Sequence, residues 1–232
     1  MIAPSARHLG YRYQLQETIG SGGMGIVYRA RDLLTGHDVA LKRLQIAPND
    51  LQFNSRTTEK NLRLALAREF RTLASLRHPH IISVLDYGFD EQNQPYYVME
   101  LLVEIEDMFD AAQSMDDTGK INLLIQLLQA LVYLHRRGII HRDLKPSNIV
   151  IDADSVLRVL DFGLAMESGQ ASEVAGTLAY MSPEMLQQQG VGVGADLWAV
   201  GVIAYQLFAG KHPFTGQRSE ERRVGKECFL LC

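Results

Sequence analysis

The sequence predicts an α+β fold built as two unequal lobes, and three observations support it. Before residue 102, five short strand-like segments accompany a single amphipathic helix. After residue 102, long helical patterns dominate and only two short strands recur. Hydrophobic residues make up 47% of the 232 positions, which is enough for a packed core. We therefore expect a loose leader over 1–10, a small β-rich lobe over 11–102 and a larger, mainly helical lobe over 103–214.

The charge balance and the cysteine positions argue against several classes of protein. The chain has 23 basic and 27 acidic side chains, a net charge of −4, and no long basic block, so we expect no nucleic acid as its main partner. Both cysteines, Cys228 and Cys232, lie at the C-terminal end, so the body of the chain holds no disulfide framework, which fits a reducing, cytoplasmic location. No secretion signal is recognisable. The most apolar run, Leu197–Gly210, is shorter than the roughly 18 residues of a membrane span, and we expect a core helix and no membrane segment.

A cluster of glycines separates the first two strands. Gly20, Gly22 and Gly25 follow a strand that ends at Ile19, and an extended segment that contains Val27 comes directly after them. A dinucleotide-binding fingerprint has the same spacing, but its glycines open a helix. We therefore predict a hairpin whose backbone amides could face phosphate oxygens. A tight hairpin without a ligand accounts for the glycines equally well.

A lysine and a glutamate in the first lobe could form a buried pair. In the strand over 38–42, Ala40 and Lys42 share one face, so the lysine could reach a ligand beneath the glycine hairpin. Glu69 borders the apolar face of the helix predicted over 59–77, where a carboxylate needs a cation such as Lys42. The alternatives are a lysine on a solvated edge strand and an ordinary surface glutamate.

The second lobe opens with a long helix that ends near Gly138. Apolar residues recur along it at helical spacing and predict one buried face. The predicted face consists of Ile121, Leu124, Ile125, Leu128, Leu131, Val132 and His135.

The most informative stretch is the run His141–Asn148, which is followed by a short hairpin and a further aspartate. It supplies the carboxylate of Asp143 and the ammonium group of Lys145, and the hairpin brings Asn148 close to Asp161. Two oxygen ligands held by a rigid hairpin fit a magnesium site, although a simple strand-ending turn remains an alternative. Phosphoryl transfer needs a base, a positive charge and metal ligands of this kind.

Taken in order, these motifs resemble the signature of the protein kinases. The glycine cluster resembles the glycine-rich loop, and the strand that ends at Lys42 resembles the strand of the ATP-contacting lysine. Glu69 occupies the place of the glutamate on the adjoining helix. The run His141–Asn148 is similar to the catalytic loop, and Asp161–Gly163 is similar to the Asp-Phe-Gly motif. Ser182–Glu184 stands where Ala-Pro-Glu is usual.

The resemblance covers Tyr13 to about Phe214. The amino-acid sequences of Ile19–Gly25 and Gly176–Met181 are most similar to those of the bacterial members of the eukaryotic-type (Hanks-type) Ser/Thr kinases. It implies transfer of the γ-phosphate of ATP to Ser or Thr of protein substrates, with ATP and Mg²⁺ as cofactors.

The resemblance also implies roles on the acceptor side. Asp143 would orient the acceptor hydroxyl and take its proton, and Lys145 would stabilise charge on the γ-phosphoryl group. A lysine at position 145 goes with Ser/Thr substrates in this family, and Thr177 matches the threonine that supports the acceptor site.

On the nucleotide side, Lys42 would contact the α- and β-phosphates and pair with Glu69, while Asn148 and Asp161 would bind magnesium. Adenine would lie between the first lobe and the connection that leads to the second. Met99 would be the gatekeeper. The backbone of Glu100 and Leu102 would bond the purine edge. The remaining nucleotide contacts would come from Ile19, Gly20, Gly22, Gly25, Val27 and Ala40.

An activation segment is expected over Leu164–Met181. Its hydroxyl side chains are Ser168, Ser172 and Thr177. Arg142 precedes the catalytic aspartate, and kinases of this kind often keep a buried arginine there that a phosphate on the segment neutralises. We expect autophosphorylation at Ser168 or Ser172.

Four further residues would have structural roles in this family. Asp196 would anchor the backbone of the catalytic loop, which begins at His141. Phe162 would pack against Leu73, and Glu184 would pair with an arginine from the last helices of the fold.

After Phe214 the resemblance stops. We interpret 215–232 as a non-kinase tail of artefactual origin and expect the last helices to be missing. A buried Glu184 without its cation would cost on the order of 3–5 kcal/mol, so we expect this chain to be weak or unstable. An inactive, nucleotide-binding pseudokinase that serves as an interaction module is the alternative, and a small-molecule phosphotransferase is a third. The sequence predicts no oligomeric state.

Overall fold

The computed structural model describes residues 8–22, 25–44, 70–161, 178–187 and 190–214. Within these residues the first lobe is a six-stranded sheet, and the second combines helices with a small three-stranded sheet. The α+β class predicted from the sequence is confirmed.

The sheet of the first lobe is antiparallel, with the strand order β1-β2-β3-β4-β6-β5. Its β-branched and aromatic residues suit a pleated, partly buried surface. Helix α1, described over residues 70–74, is the end of the helix predicted over 59–77. The strands are β1 (His8–Leu9), β2 (Tyr13–Gly22), β3 (Gly25–Asp32), β4 (Asp38–Leu44), β5 (Val84–Phe89) and β6 (Pro95–Glu100).

The register of the sheet decides which side chains share a face. Val27 and Tyr97 lie directly opposite Lys42, and Met99 lies opposite Ala40. Because directly opposite residues point to the same side, these five share one face, as the alternation in β4 predicted for Ala40 and Lys42. The other face closes a small apolar cluster. That cluster consists of Leu9, Tyr13, Ala30, Val39, Leu41 and Val98.

The prediction of a loose leader over 1–10 is wrong for His8 and Leu9, which form β1. His8 pairs with Gln14 and Leu9 pairs with Tyr13, and Leu9 is buried. A two-residue strand is too short to show periodicity in a sequence, so the pattern could not indicate it. Residues 1–7 lie outside the described residues.

Strand β5 begins at Val84, although the apolar run in the sequence already begins at Ile81. The two isoleucines before it connect the lobes. The Ile82 amide donates to the Val159 carbonyl at 3.0 Å, and Ile81 forms a bridge with Val159. Both isoleucines are buried, so their apolar character reflects a contact between lobes rather than a longer strand.

The described part of the second lobe contains two long helices. The longer one, α3, begins after Asp116, whose carboxylate accepts a hydrogen bond from the Gly119 amide at 2.8 Å. None of the described helices combines the length and apolarity needed to cross a membrane. The helices are α2 (Met108–Gln113), α3 (Asp117–His135), α4 (Pro183–Leu186) and α5 (Val193–Ala209), and the strands are β7 (Glu106–Asp107), β8 (Ile149–Ile151) and β9 (Leu157–Val159).

The buried face predicted for α3 is wrong. Ile121, Ile125, Leu128 and Val132 are between 38% and 49% exposed. The helix carries two apolar stripes, so periodicity alone could not decide which one faces the core. Leu131 is the predicted residue that is fully buried. The stripe that packs inward is Leu123, Leu127, Ala130, Leu131 and Leu134.

One apolar core spans both lobes. Phe70 and Met99 from the first lobe belong to the same buried cluster as Leu127, Ile149 and Ile203 from the second. The boundary between the lobes is therefore packed as an interior, and charged groups placed there are shielded from water.

An arginine just before β2 and an aspartate at the end of β3 form an ion pair, and we predict that this pair stabilises the fold. Arg12 donates to both oxygens of Asp32 at 2.9 Å, and Asp32 is 3% exposed. Asp32→Asn should lower the free energy of unfolding at pH 7 by about 1–2 kcal/mol, because it removes a charge-assisted pair whose arginine is partly solvated.

The effect should depend on pH. The hydrogen bonds from Arg12 hold the pKa of Asp32 well below its ordinary value. The pair therefore stabilises the fold above the unfolded-state pKa, about 4, and loses this contribution as the pH falls further. In urea titrations, the gap between wild type and Asp32→Asn should shrink from pH 6 to pH 2. Asp38→Asn, which loses solvated arginine partners, should show a smaller gap at pH 6, and equal gaps would contradict the prediction.

Candidate active site

Lys42 is buried at the centre of the first sheet. Its strand, β4, lies between β3 and β6, so the edge-strand alternative is excluded. The lysine is 6% exposed, and its Nζ lies 2.5 Å from Asp161 Oδ2 in the second lobe. A buried ammonium group requires such a partner. This ion pair connects the two lobes.

Asp161 receives a second hydrogen bond that the sequence analysis missed. The Tyr97 hydroxyl donates to Asp161 Oδ1 at 2.5 Å. Burial, and then the negative charge of Asp161, raises the pKa of Tyr97 well above its ordinary value. The only signal available in the sequence was the alternation along β6, which places Tyr97 on the face of Lys42. Asp161 itself has a left-handed backbone with φ of 41°, a conformation that aspartate tolerates better than most residues.

The predicted hairpin does bring Asn148 and Asp161 together. Ile149 on β8 pairs with Val159 on β9, and the Leu160 amide donates to the Asn148 carbonyl at 2.8 Å. Asp161 is the next residue. Two side chains separated by 13 positions in the chain are therefore held at the same end of a short hairpin.

Asp143 has one oxygen in use and one available. Its Oδ2 lies 3.1 Å from Lys145 Nζ and accepts a hydrogen bond from Asn148 Nδ2 at 3.1 Å. Its Oδ1 is buried and accepts no hydrogen bond from the described residues. A buried acceptor without a donor is costly unless a further donor reaches it, so this oxygen is placed to receive one.

The loop that begins at His141 is anchored by Asp196 on α5. Asp196 is 1% exposed and accepts hydrogen bonds from the His141 and Arg142 amides, each at 2.9 Å. His135 Nε2 donates to the same carboxylate at 2.7 Å. His135 was expected on an apolar face of α3, but it contacts this carboxylate instead.

His141 connects this loop to Leu160, the residue before Asp161. Its Nε2 lies 3.1 Å from the Leu160 carbonyl, and since a carbonyl only accepts, Nε2 carries the proton. Burial lowers the pKa of His141, so the ring is neutral at pH 7. Arg142, by contrast, has its side chain exposed and its φ at 65°. The expectation of a buried arginine at this position is wrong for this structure, because the loop turns its side chain outward.

The glycine cluster forms a hairpin between β2 and β3, as predicted, rather than the start of a helix. Gly25 has φ of 140°, and a Cβ there would lie 2.1 Å from the Arg43 carbonyl oxygen. Only glycine fits at this position. Gly20 pairs with Val27, and Gly22 pairs with Gly25.

The residues expected around adenine lie on the inner face of the sheet and at its end. Ala40 and Met99 are buried, whereas Ile19 is 48% exposed. The Glu100 carboxylate accepts a hydrogen bond from the Ser83 amide at 2.9 Å, and Leu102 is half-buried in the connection between the lobes.

Several predicted residues lie outside the described residues or have no described partner. Glu184 is half-buried in the short helix α4, and its carboxylate forms no ion pair within the described part of the chain. The residues outside the description are Glu69, Phe162, Ser168, Ser172, Thr177 and 215–232.

Asn148 and Asp161 fit a magnesium ion that also binds phosphate. Within the described ranges no three His, Cys, Asp or Glu side chains are grouped to hold a metal on their own. Magnesium needs no such cage, since one or two protein oxygens, substrate phosphates and water complete its shell. Asn148 is held through its Nδ2, which donates to the Asp143 carbonyl at 2.8 Å and leaves the amide oxygen as the acceptor.

A two-lobed α+β fold in which a buried lysine meets an aspartate, beside a carboxylate and an asparagine on an anchored loop, is the architecture of the protein kinases. Comparison with known families agrees, since the protein kinase domain family matches residues 13–229. The chain belongs to this family, and the resemblance inferred from the motifs is confirmed. The match extends beyond Phe214, where the motifs stop.

Three similar proteins from bacteria illustrate the relationship. The serine/threonine-protein kinase PknB of Mycobacterium tuberculosis is 38% identical over 228 residues, which is 93% of this chain and 35% of that protein. PknB of Mycolicibacterium smegmatis is 36% identical over 222 residues, or 90% of this chain and 34% of that protein. A probable PknB of Bifidobacterium longum is 34% identical over 226 residues, 89% of this chain and 31% of that protein. The chain thus spans about a third of the length of these relatives.

We predict that Asp196 has a large effect on stability. Asp196→Ala should lower the free energy of unfolding by about 3–5 kcal/mol, because two backbone amides and His135 would be left buried without an acceptor. Urea unfolding followed by the fluorescence of Trp198, the single tryptophan, measures the loss.

The matched control is Asp116→Ala. This variant removes an exposed helix cap and should cost only about 1 kcal/mol. Equal losses in the two variants would show that Asp196 is no more than an ordinary capping residue.

Proposed function

We propose that this chain is the catalytic domain of an ATP-dependent Ser/Thr protein kinase. The observation that carries the proposal is Asp143, whose buried Oδ1 is unpartnered among the described residues while Lys145 and Asn148 hold its other oxygen. This arrangement suits a base that receives the proton of an acceptor hydroxyl. The names of the relatives, which are serine/threonine-protein kinases, support the same conclusion.

The chemistry on the acceptor side follows from this geometry. The acceptor hydroxyl donates its hydrogen bond to Asp143 Oδ1. As its oxygen bonds to the γ-phosphorus, the bond from that phosphorus to the bridging oxygen of ADP breaks and the proton passes to Asp143. Lys145, held 3.1 Å from the same carboxylate, places a positive charge beside the transferred group.

On the nucleotide side, the residues of the lobe boundary hold the phosphates. Lys42 contacts the α- and β-phosphates, with Glu69 as its expected partner on the adjoining helix, and the hairpin with Gly20, Gly22 and Gly25 covers them with backbone amides. Asn148 and Asp161 supply oxygen ligands to magnesium, which neutralises charge on the β- and γ-phosphates when it is bound.

Adenine occupies the inner face of the first sheet in this proposal. Ala40 and Met99 are buried there beside Val27, and the backbone of Glu100 and Leu102 bonds the purine edge. Apolar walls with a few backbone partners are typical of such sites.

The proposal places the acceptor side chain of a protein beside Asp143. A recess there is lined by Tyr180, Met181 and Met185, which lie around the short helix α4. Together with Lys145, and with Thr177 as the expected support of the acceptor site, this surface favours Ser and Thr side chains of proteins. We expect the domain to act in the cytoplasm, where ATP is available and the cysteine-free body of the chain needs no oxidising environment.

Asp143→Asn tests the proposal directly. We expect the turnover number for phosphate transfer to a generic protein acceptor to fall by about 10²–10⁴-fold, with ATP affinity nearly unchanged, because the variant removes the base but leaves the nucleotide contacts. Mass spectrometry of the acceptor after incubation with Mg²⁺ and ATP provides the measurement.

Asp154→Asn is the matched control, since it makes the same chemical change in an exposed turn of the β8–β9 hairpin. It should transfer phosphate at the wild-type rate. A wild-type chain that binds ATP and magnesium, unfolds cooperatively and transfers no phosphate would favour the pseudokinase instead.

We further propose that the domain phosphorylates itself at Ser168 or Ser172. Arg142, an exposed residue of the catalytic loop, offers a cation for such a phosphate. Phosphopeptide mapping of wild type should find phosphate on one of these serines, and it should be missing in Asp143→Asn. Phosphate found only outside 164–181 would contradict the assignment.

A further inference from the structure

A buried tyrosine supports the carboxylate that faces the proposed metal. Tyr97 on β6 lies directly opposite Lys42, is 4% exposed and donates from its hydroxyl to Asp161 Oδ1 at 2.5 Å. None of the motifs that define the family contains this tyrosine. Its hydroxyl donates to Asp161, so its effect would be exerted through that carboxylate.

We propose that Tyr97 is a positioning residue that holds the Asp161 carboxylate in the orientation needed to bind the metal of the metal–ATP complex. The inference rests on the proposed role of Asp161 as a metal ligand. It adds a hydrogen-bond partner for that proposed ligand, and this partner belongs to the first lobe.

Two donors at two different oxygens fix the carboxylate. Lys42 Nζ lies 2.5 Å from Oδ2, while the Tyr97 hydroxyl binds Oδ1. A carboxylate held at one oxygen can still swing about its side-chain bonds, but one held at both cannot. Each oxygen keeps a further lone pair, so both hydrogen bonds are compatible with a cation.

The tyrosine ring is rigid enough to act as a support. It packs against Phe70 with ring centroids 5.8 Å apart, and Phe70 in turn stacks on Tyr87 at 5.3 Å. Phe70 is fully buried and is the first described residue of α1. The packed core therefore fixes the position of the Tyr97 hydroxyl. Its hydrogen bond in turn fixes the orientation of the Asp161 carboxylate.

The backbone conformation of Asp161 gives a second reason why the hydrogen bond from Tyr97 matters. Its φ of 41° lies in the left-handed region, which costs a non-glycine residue free energy and persists only where the surroundings hold it. The two side-chain hydrogen bonds from β4 and β6 supply such a hold. Partners of metal ligands commonly change metal affinity by about 10–100-fold when they are removed.

Tyr97→Phe on the full 232-residue chain isolates the hydroxyl, because the ring and its packing remain. Binding of Mn²⁺ is measured by the electron paramagnetic resonance signal of the free ion, with a non-hydrolysable ATP analogue present. We expect the variant to bind Mn²⁺ about 10-fold more weakly than wild type. In steady-state assays, the Mg²⁺ concentration for half-maximal rate should rise by about the same factor, while kcat at saturating Mg²⁺ and KM for the acceptor change much less.

The matched control is Tyr96→Phe. Tyr96 is the preceding residue on β6 and packs on the opposite face, edge-to-face with Tyr13. It should bind Mn²⁺ with the wild-type affinity, and thermal unfolding of both variants identifies any general loss of structure. A merely structural role for Tyr97 would lower the melting temperature without moving the Mn²⁺ affinity.

Asp161→Asn separates the failure of this inference from failure of the proposed function. If Asp161→Asn loses Mn²⁺ binding while Tyr97→Phe binds as tightly as wild type, or more tightly, the positioning role is overturned and the metal site stands. If wild type itself binds no Mn²⁺ in the presence of the nucleotide analogue, the proposed metal site and the role of Tyr97 are both overturned.

Discussion

The hydrogen bonds that Asp196 accepts determine the geometry on which the rest of the site depends. A carboxylate buried at the start of α5 would be unfavourable by itself, and three donors from two other elements compensate for that cost. Two of the donors are consecutive backbone amides, so the aspartate fixes a backbone path rather than a side chain. Arg142 can adopt its left-handed conformation there because both neighbouring amides are held.

From Asp196, a series of hydrogen bonds continues along the chain to Asn148 and Asp161, the residues proposed to bind magnesium. The fixed backbone sets Asp143, whose carboxylate engages Asn148, and the Asn148 carbonyl accepts the Leu160 amide. His141 makes the same connection independently, through its own bond to the Leu160 carbonyl. Asp161 is thereby held by both lobes. The second lobe fixes the preceding residue, Leu160, and the first sheet contributes Lys42 and Tyr97. Neither lobe positions it alone.

Much of this could be read from the sequence, and the exceptions have physical causes. The order of short motifs, the alternation in β4 and the hairpin after Asn148 were informative because each imposes a local constraint that few other sequences satisfy. The buried face of α3 could not be predicted, since Leu127 and Leu128 belong to two competing apolar stripes and only the partner elements decide between them. Tyr97 and His135 were missed because their partners are distant in the chain and each sits in a pattern that apolar packing already explains.

The single core that joins the lobes affects how the molecule responds to heat. With Phe70, Met99, Leu127 and Ile203 in one cluster, melting one lobe exposes apolar surface of the other. We therefore expect the lobes to unfold in calorimetry as one cooperative unit rather than in two separate transitions. If a nucleotide binds at their boundary, as proposed, it should therefore protect amide hydrogens from exchange in both lobes, including those far from the phosphates.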